Sequence, residues 1–190
     1  MRMPRKLLVA ALGIAGAAVF FVPGAPAHAA ALPAAHAAAS APSPVGAELT
    51  PSGGASHAAS SAVDPECKLY YMNQQGKPGG LAHISSFLYH NHKIRAVKIN
   101  AAVQCRRVSM DLFLQVTLWK TGLLFPHKVA GPTTATAAKG NLLKNQMTWK
   151  QCKNNASTTY YGTAYGRVVF QGVTYSASLQ SGNATLACGT

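Results

Sequence analysis

Apolar and polar residues alternate with a period of two along much of the chain after residue 96. Between Val97 and Cys105 every second residue is apolar, and Lys98, Asn100 and Gln104 fall between them. The next stretch repeats the pattern with four apolar residues: Leu112, Leu114, Val116 and Leu118. Successive side chains of a strand point to opposite faces of its sheet, so this period predicts β-strands.

The C-terminal part continues the same pattern. Residues 160–171 are rich in aromatic and β-branched side chains, and Gln171-Gly172 predicts a hairpin turn. Alternation resumes over 173–180 and again over 184–188, whereas 81–92 fits either a short strand or a helical turn. Six to eight short strands predict an all-β fold. We expect an antiparallel β-sandwich, with an immunoglobulin-like arrangement as one option and a small β-barrel as the alternative.

The N-terminus predicts export. Residues 1–29 combine early positive charges, a short apolar run and small residues at Ala27-His28-Ala29, the three parts of a Sec-type signal peptide. Ala35-His36-Ala37 is a second cleavage option, and an uncleaved anchor is the competing interpretation. The expected mature protein is extracellular, without a stable membrane anchor, and monomeric.

Residues 30–66 are dominated by Ala, Ser, Pro and Gly and contain no aromatic residue. Such a segment cannot bury enough apolar surface to offset the entropy lost on ordering. We therefore predict a disordered linker or a pro-segment over 30–66, followed by one folded domain over 67–190.

The four cysteines, Cys67, Cys105, Cys152 and Cys188, all follow the predicted linker. An even number of cysteines in an exported chain predicts two disulfides. A zinc site is disfavoured because no pair has the close spacing of zinc ligands. Of the three possible pairings we favour Cys67–Cys105 with Cys152–Cys188, because each bridge then closes a local loop.

The arrangement of these features resembles a group of small, uncharacterised secreted proteins of actinobacteria. The shared features are an Ala-rich leader and linker, a strand ending at Cys105, the pair Leu118-Trp119, and Cys152 followed by Tyr160-Tyr161 and a final Cys188-Gly189. The resemblance covers residues 67–190. It implies a secreted β-domain and implies no activity.

Charge gives the strongest indication of a partner. The chain has 17 Lys and Arg residues against four acids, and Asp111 is the only acid after residue 66. A strongly basic surface attracts polyanions, which outside a cell include anionic wall polymers. The competing interpretation is that the charge only keeps an exported protein soluble and monomeric, because the basic residues are scattered along the chain. The expected contact residues carry positive charge beside outward-facing aromatic residues: Lys120, Lys150, Lys153 and Arg167. Trp119, Trp149, Tyr160, Tyr161 and Tyr165 are the aromatic residues of a stacking surface in one interpretation. The ordinary interpretation is that they fill the core and cover its outer faces.

Few catalytic arrangements fit this composition. With a single acid, the folded region lacks the paired carboxylates of glycosidases and the acidic ligands of two-metal sites. Asp111 follows Arg106 and Arg107, where a structural ion pair is the ordinary explanation. His90 and His92 have the spacing of two metal ligands on a strand, but no third ligand can be placed, and a solvent-facing loop is the ordinary explanation. We predict no catalytic residue, no metal and no cofactor.

Two functions of different classes remain. The first is a secreted, non-enzymatic cationic β-domain that associates with extracellular or cell-wall polyanions. The alternative is an exported effector, either an antimicrobial or toxin-like protein or an inhibitor of a secreted enzyme.

Overall fold

The computed structural model describes residues 46–52 and 64–190, and within these ranges it contains nine β-strands and no helix. The strands are β1 (Ala47–Glu48), β2 (Thr50–Pro51), β3 (Cys67–Met72), β4 (His83–Tyr89), β5 (His92–Lys120), β6 (His127–Gln151), β7 (Asn154–Phe170), β8 (Val173–Gln180) and β9 (Ala184–Gly189). Every pairing between them is antiparallel. The predicted all-β antiparallel fold is therefore confirmed, and the open segment 81–92 contains a strand.

Strand β5 is the centre of the sheet. One edge of β5 pairs with β6 along nearly its whole length, and the other edge pairs in succession with β4, β3 and β7. Register shifts between Gln104 and Ser109, and between Met110 and Phe113, mark irregular pairing in the middle of β5. Irregularities of this kind bend a strand, so one long strand serves two parts of the sheet.

The single sheet is nearly closed. Its main order is β1-β3-β5-β7-β8-β2, and only Leu49 separates β1 from β2 in the chain. Residues 47–51 therefore connect the two ends of this order. Leu49 is buried, and its backbone N–H donates to the Cys67 carbonyl at 2.9 Å. Near-closure of one sheet corresponds to the barrel-like alternative.

The predicted linker over 30–66 needs correction at 46–52. These seven residues add main-chain pairs to β3 and β8, with Leu49 as their one buried anchor. Two-residue strands need little apolar surface of their own, which is why composition did not indicate them. The predicted signal peptide over 1–29, and the linker over 30–45 and 53–63, lie outside the described residues.

The core consists of the inward faces that the alternation predicted. All five alternating residues from Val97 to Cys105 are buried, as are all four from Leu112 to Leu118. The first half of β5 packs across the core against β7, where Gly162 and Gly166 face Ile99 and Val103. The outward residues Asn100 and Ala102 are also buried, because β3 lies beside them.

Both predicted disulfides are present. Cys67 and Cys105 are register partners in β3 and β5, with 3.9 Å between their Cα atoms. The second bridge joins Cys152, between β6 and β7, to Cys188 in β9. Two disulfides are consistent with an extracellular protein. Across 46–52 and 64–190, no helix exists that is long and apolar enough to span a bilayer.

Burial of Tyr71 predicts a loss of stability in alkali. Its hydroxyl donates to the Leu179 carbonyl at 3.0 Å, and burial raises the pKa of Tyr71 above its ordinary value near 10. The folded state therefore keeps a proton that the unfolded state releases above about pH 10. The stabilisation is fully present below that pH and declines above it, by up to about 1.4 kcal/mol per pH unit from this group.

Urea unfolding between about pH 9 and pH 11 measures this decline. Tyr71→Phe should flatten the pH dependence, although it also removes one hydrogen bond. Tyr70→Phe is the matched control, because Tyr70 is less deeply placed and its pKa is raised only by partial desolvation. Identical slopes for the parent and Tyr71→Phe would contradict the assignment.

Candidate binding surface on the outer face of the sheet

The outward residues of β5, β7 and β8 form an open surface of four cross-strand rows. The rows follow from the register: Trp119–Tyr161, Thr117–Thr163–Gln180, Gln115–Tyr165–Ser178 and Phe113–Arg167–Ser176. The β5 residues of these rows face outward because the residues that alternate with them along β5 point into the core. Neighbouring rows are two residues apart along each strand, so the surface is about 20 Å long.

The two middle rows line a groove of about 400 Å³. Its polar side chains come from Gln115, Thr117, Thr163, Ser178 and Gln180. Within the described ranges, the side chains of Gln115, Ser178 and Gln180 make no intramolecular hydrogen bond. Their amide and hydroxyl groups are therefore free to bind a ligand with hydroxyl or carbonyl groups.

Aromatic side chains stand at both ends of this groove. Trp119 and Tyr161 are stacked, with ring centroids 6.4 Å apart, and Trp119 Nε1 donates to Thr163 Oγ1 at 2.9 Å. At the other end Phe113 and Tyr165 pack edge to face at 6.2 Å. Because each ring is fixed by a neighbour, the surface requires little reordering when it binds.

The electrostatic environment of the groove is positive. The chain contains no Asp or Glu between residues 112 and 190. The Arg167 guanidinium lies 5.6 Å from the centre of the Phe113 ring, and Lys128 pairs across from Trp119 at the opposite end. The groove therefore offers cations at both ends and no carboxylate along its length.

The ion pairs of the described residues lie elsewhere. Lys68 Nζ is 3.5 Å from Glu48 Oε1, and Arg106 Nη1 is 3.0 Å from Glu66 Oε1. All four side chains line a second cavity, of about 610 Å³, beside β3. Because its charges are already balanced in pairs, this cavity is a weaker candidate for a charged ligand.

The structure does not bring the four predicted contact residues into one cluster. Lys120 Nζ donates to the Thr190 carbonyl at 3.0 Å, and the Lys153 backbone N–H donates to the Gly189 carbonyl at 2.7 Å. Lys150 is exposed on β6. Only Arg167 belongs to the four rows. The role of these four residues in binding a polyanion stays a prediction.

The predicted aromatic surface divides into three environments. Tyr160 is fully buried, and its hydroxyl donates to the Cys188 carbonyl, so it belongs to the core and not to a stacking surface. Trp149 lies in a separate cluster, with ring centroids 5.2 Å from Phe87 and 5.1 Å from Tyr89. Burial lowers the pKa of Lys98, whose ammonium lies over the Phe87 ring. Trp119, Tyr161 and Tyr165 remain on the groove.

The expected ion pair of Asp111 with its arginine neighbours is also corrected. Arg106 pairs with Glu66 instead, and Asp111 is exposed at a positive φ of 47° beside the irregular pairing of β5. His90 also has a positive φ, in the turn between β4 and β5. Among residues 46–52 and 64–190, no three His, Cys, Asp or Glu side chains gather as a metal site would require.

The sequence did not indicate the polar half of the groove. Gln115, Thr117 and Gln180 were recognisable as outward positions of alternating strands, but nothing in their identity separated them from ordinary solvent-facing residues. Their significance depends on the register that aligns β5, β7 and β8. That register is a long-range property that local periodicity does not specify.

Comparison with protein-family models, with curated proteins and with solved structures gave no match. The class is therefore defined by the fold and the surface alone. It is an all-β domain with two disulfides and an open groove that combines aromatic, uncharged polar and cationic side chains.

Proposed function

We propose that this chain is a secreted, non-enzymatic domain that binds an extracellular or cell-wall polyanion containing sugar rings. Export is inferred from the predicted signal peptide over 1–29 and agrees with the two disulfides. The observation that carries the proposal is the groove in which Gln115, Ser178 and Gln180 are free to hydrogen-bond, between two aromatic ends and without a carboxylate side chain.

Each part of the surface suits one part of such a polymer. The aromatic rings provide flat apolar faces on which sugar rings stack. The amide and hydroxyl groups of the middle rows pair with sugar hydroxyls, directly or through water. Arg167 and Lys128 attract phosphate or carboxylate groups, and the guanidinium of Arg167 has the planar geometry that pairs with either.

The other lysines of β6 have a structural explanation that does not involve a ligand, because β6 is an edge strand. Among the described strands, β6 pairs only with β5, so one edge of its 25 residues is free. Lys139, Lys144 and Lys150 are spread along it, away from Lys128 at its start. Lysines on a free edge discourage pairing with another chain. Arg167, by contrast, lies inside the sheet, between β5 and β8, where no edge needs protection.

We expect Tyr165→Ala and Arg167→Gln each to weaken retention on purified bacterial cell wall by about tenfold. Loss of a stacking ring typically costs about 1–3 kcal/mol. Arg167→Gln should also reduce the slope of log affinity against log salt by about one, because one ionic contact is removed. Co-sedimentation at several salt concentrations measures both quantities.

Lys144→Gln is the matched control, since it removes the same charge from the edge strand at an exposed position that pairs with Ala102, away from the groove. It should change retention less than twofold, a difference of about 0.4 kcal/mol. Cell wall stripped of its anionic polymers should retain the parent protein poorly. Retention that is independent of salt, or an equal loss for Lys144→Gln and Arg167→Gln, would refute the proposal.

A further inference from the structure

The loop between β5 and β6 presents three apolar side chains to solvent. Leu123, Leu124 and Phe125 are 105%, 87% and 73% exposed. They are consecutive and stand at the tip of the long β5–β6 hairpin. Single apolar residues on a surface are normal, but a contiguous group marks a contact surface.

The tip is held in a defined shape at its base. A side chain at Gly122 would place its Cβ 2.3 Å from the Phe125 carbonyl oxygen, so the turn closes tightly at this glycine. The Thr121 backbone N–H donates to the Thr159 carbonyl at 2.9 Å, which ties the base of the loop to β7. The three side chains therefore project from a supported turn, and they do not fold back onto the domain.

The groups behind the tip are aromatic and cationic. Trp119 and Tyr161 stack directly before the loop, and Lys120, His127 and Lys128 surround its base. No acid occurs in the chain after Asp111. Proteins that enter the interface of an anionic bilayer show this order: apolar residues are outermost, Trp and Tyr come next, and cations lie behind them.

We propose that loop 121–126 inserts Leu123, Leu124 and Phe125 into the outer layer of an anionic lipid bilayer. The apolar side chains reach the boundary of the acyl chains, while Lys128 and its neighbours contact the anionic headgroups. The attachment is peripheral and reversible, because only one short turn enters the lipid. The inserted side chains lie outside the four rows of the groove, whereas Trp119, Tyr161 and Lys128 adjoin both surfaces.

Vesicle co-sedimentation tests the proposal. The parent protein should bind vesicles of equal parts phosphatidylglycerol and phosphatidylcholine, and bind vesicles of phosphatidylcholine alone much less. Each protein is produced from the full chain, so the N-terminal residues are the same in every comparison. Leu123→Ser, Leu124→Ser and Phe125→Ser combined should lower partitioning by at least about tenfold, since most of the inserted apolar surface is removed.

The matched control removes apolar side chains that are equally exposed and lie away from the tip. Leu88 and Met147 are 74% and 70% exposed, on β4 and β6. Leu88→Ser combined with Met147→Ser should leave partitioning within about twofold of the parent. Both variants should unfold at the same temperature as the parent, which shows that the substitutions leave the fold intact.

The two tryptophans supply a second measurement. Trp119 adjoins the tip, whereas Trp149 lies in the Phe87 cluster near the other end of β6. With Trp149→Phe, brominated lipids should quench the remaining fluorescence of Trp119 on vesicle binding. With Trp119→Phe, the same lipids should quench Trp149 weakly.

Several results would overturn the proposal. These are equal binding of the tip variant and the parent, equal quenching of the two tryptophans, or equal binding to charged and uncharged vesicles. A parent dimer that the tip variant converts to monomer, with vesicle binding unaffected, would assign the tip to self-association instead. Tyr165→Ala should keep vesicle binding and lose wall retention, so a failure of the groove proposal is distinguishable from a failure of this one.

Discussion

Replacing Cys67 and Cys105 together by alanine should lower the free energy of unfolding by about 4 kcal/mol. The bridge closes a loop across a sequence separation of 38, and the loop-entropy model gives about that value for such a closure. Small domains are stable by only about 5–15 kcal/mol in total. We therefore expect a domain that still folds in the cold and unfolds at a much lower denaturant concentration than the parent.

The second bridge provides the comparison. Cys152–Cys188 has a sequence separation of 36, so the same model predicts a nearly equal loss for its paired alanine variant. Cys67 and Cys105 are already register partners in the paired strands β3 and β5, whereas Cys152 lies between strands. If strand pairing persists without the bridge, the first variant will lose less than the second.

Urea unfolding of both paired variants measures the two losses, and intact mass confirms that the remaining bridge is oxidised. Paired substitution is needed because a single change leaves a thiol that can attack the other disulfide. A loss below about 1 kcal/mol for both pairs would contradict the chain-entropy account of this fold.

The sequence identified the parts of the fold that face the core. Every second residue is apolar from Val97 to Cys105 and from Leu112 to Leu118, because these side chains point inward and pack against other apolar side chains of the core. Strand β6 carried no such signal. Its section over 133–141 is composed of Thr, Ala, Gly, Lys and Asn, and its core contacts come from the small side chains of Ala135 and Ala137. A strand held mainly by main-chain pairing leaves no hydrophobic period to detect.

The candidate site was only partly predictable for a related reason. Tyr160 and Tyr161 are adjacent and chemically identical, yet one lies in the core and the other on the groove. Alternation requires that the two side chains point in opposite directions, but it does not specify which of them points inward. The choice is made by the pairing of β7 with β5, across the irregular stretch near Asp111. The charge of Arg167 predicts a contact residue, but its position beside Phe113 depends on that same register.

Alanine at both Gly162 and Gly166 should destabilise the domain by about 4 kcal/mol, from about 1–3 kcal/mol of overpacking at each site. A Cβ at Gly162 would lie 2.2 Å from Ile99 Cδ1, and one at Gly166 would lie 2.6 Å from Val103 Cγ2. Ile99 and Val103 are fully buried, so neither can move aside without displacing its neighbours. The two glycines thus set how closely β7 approaches the first half of β5.

The close approach can be tested by shortening the opposing side chain. Ile99→Val alone should cost about 0.5–1.5 kcal/mol, because it removes a buried methyl group. The double variant Ile99→Val, Gly162→Ala should lose at least about 1 kcal/mol less stability than the sum of the two single losses, since Ile99→Val removes Cδ1, the atom that clashes with the added Cβ. Gly140→Ala is the control, because its added Cβ would find no atom nearer than 4.0 Å, and it should change stability by less than about 0.5 kcal/mol. Additive losses in the Ile99–Gly162 cycle would mean that the strain lies in the backbone of β7 rather than in contact across the core.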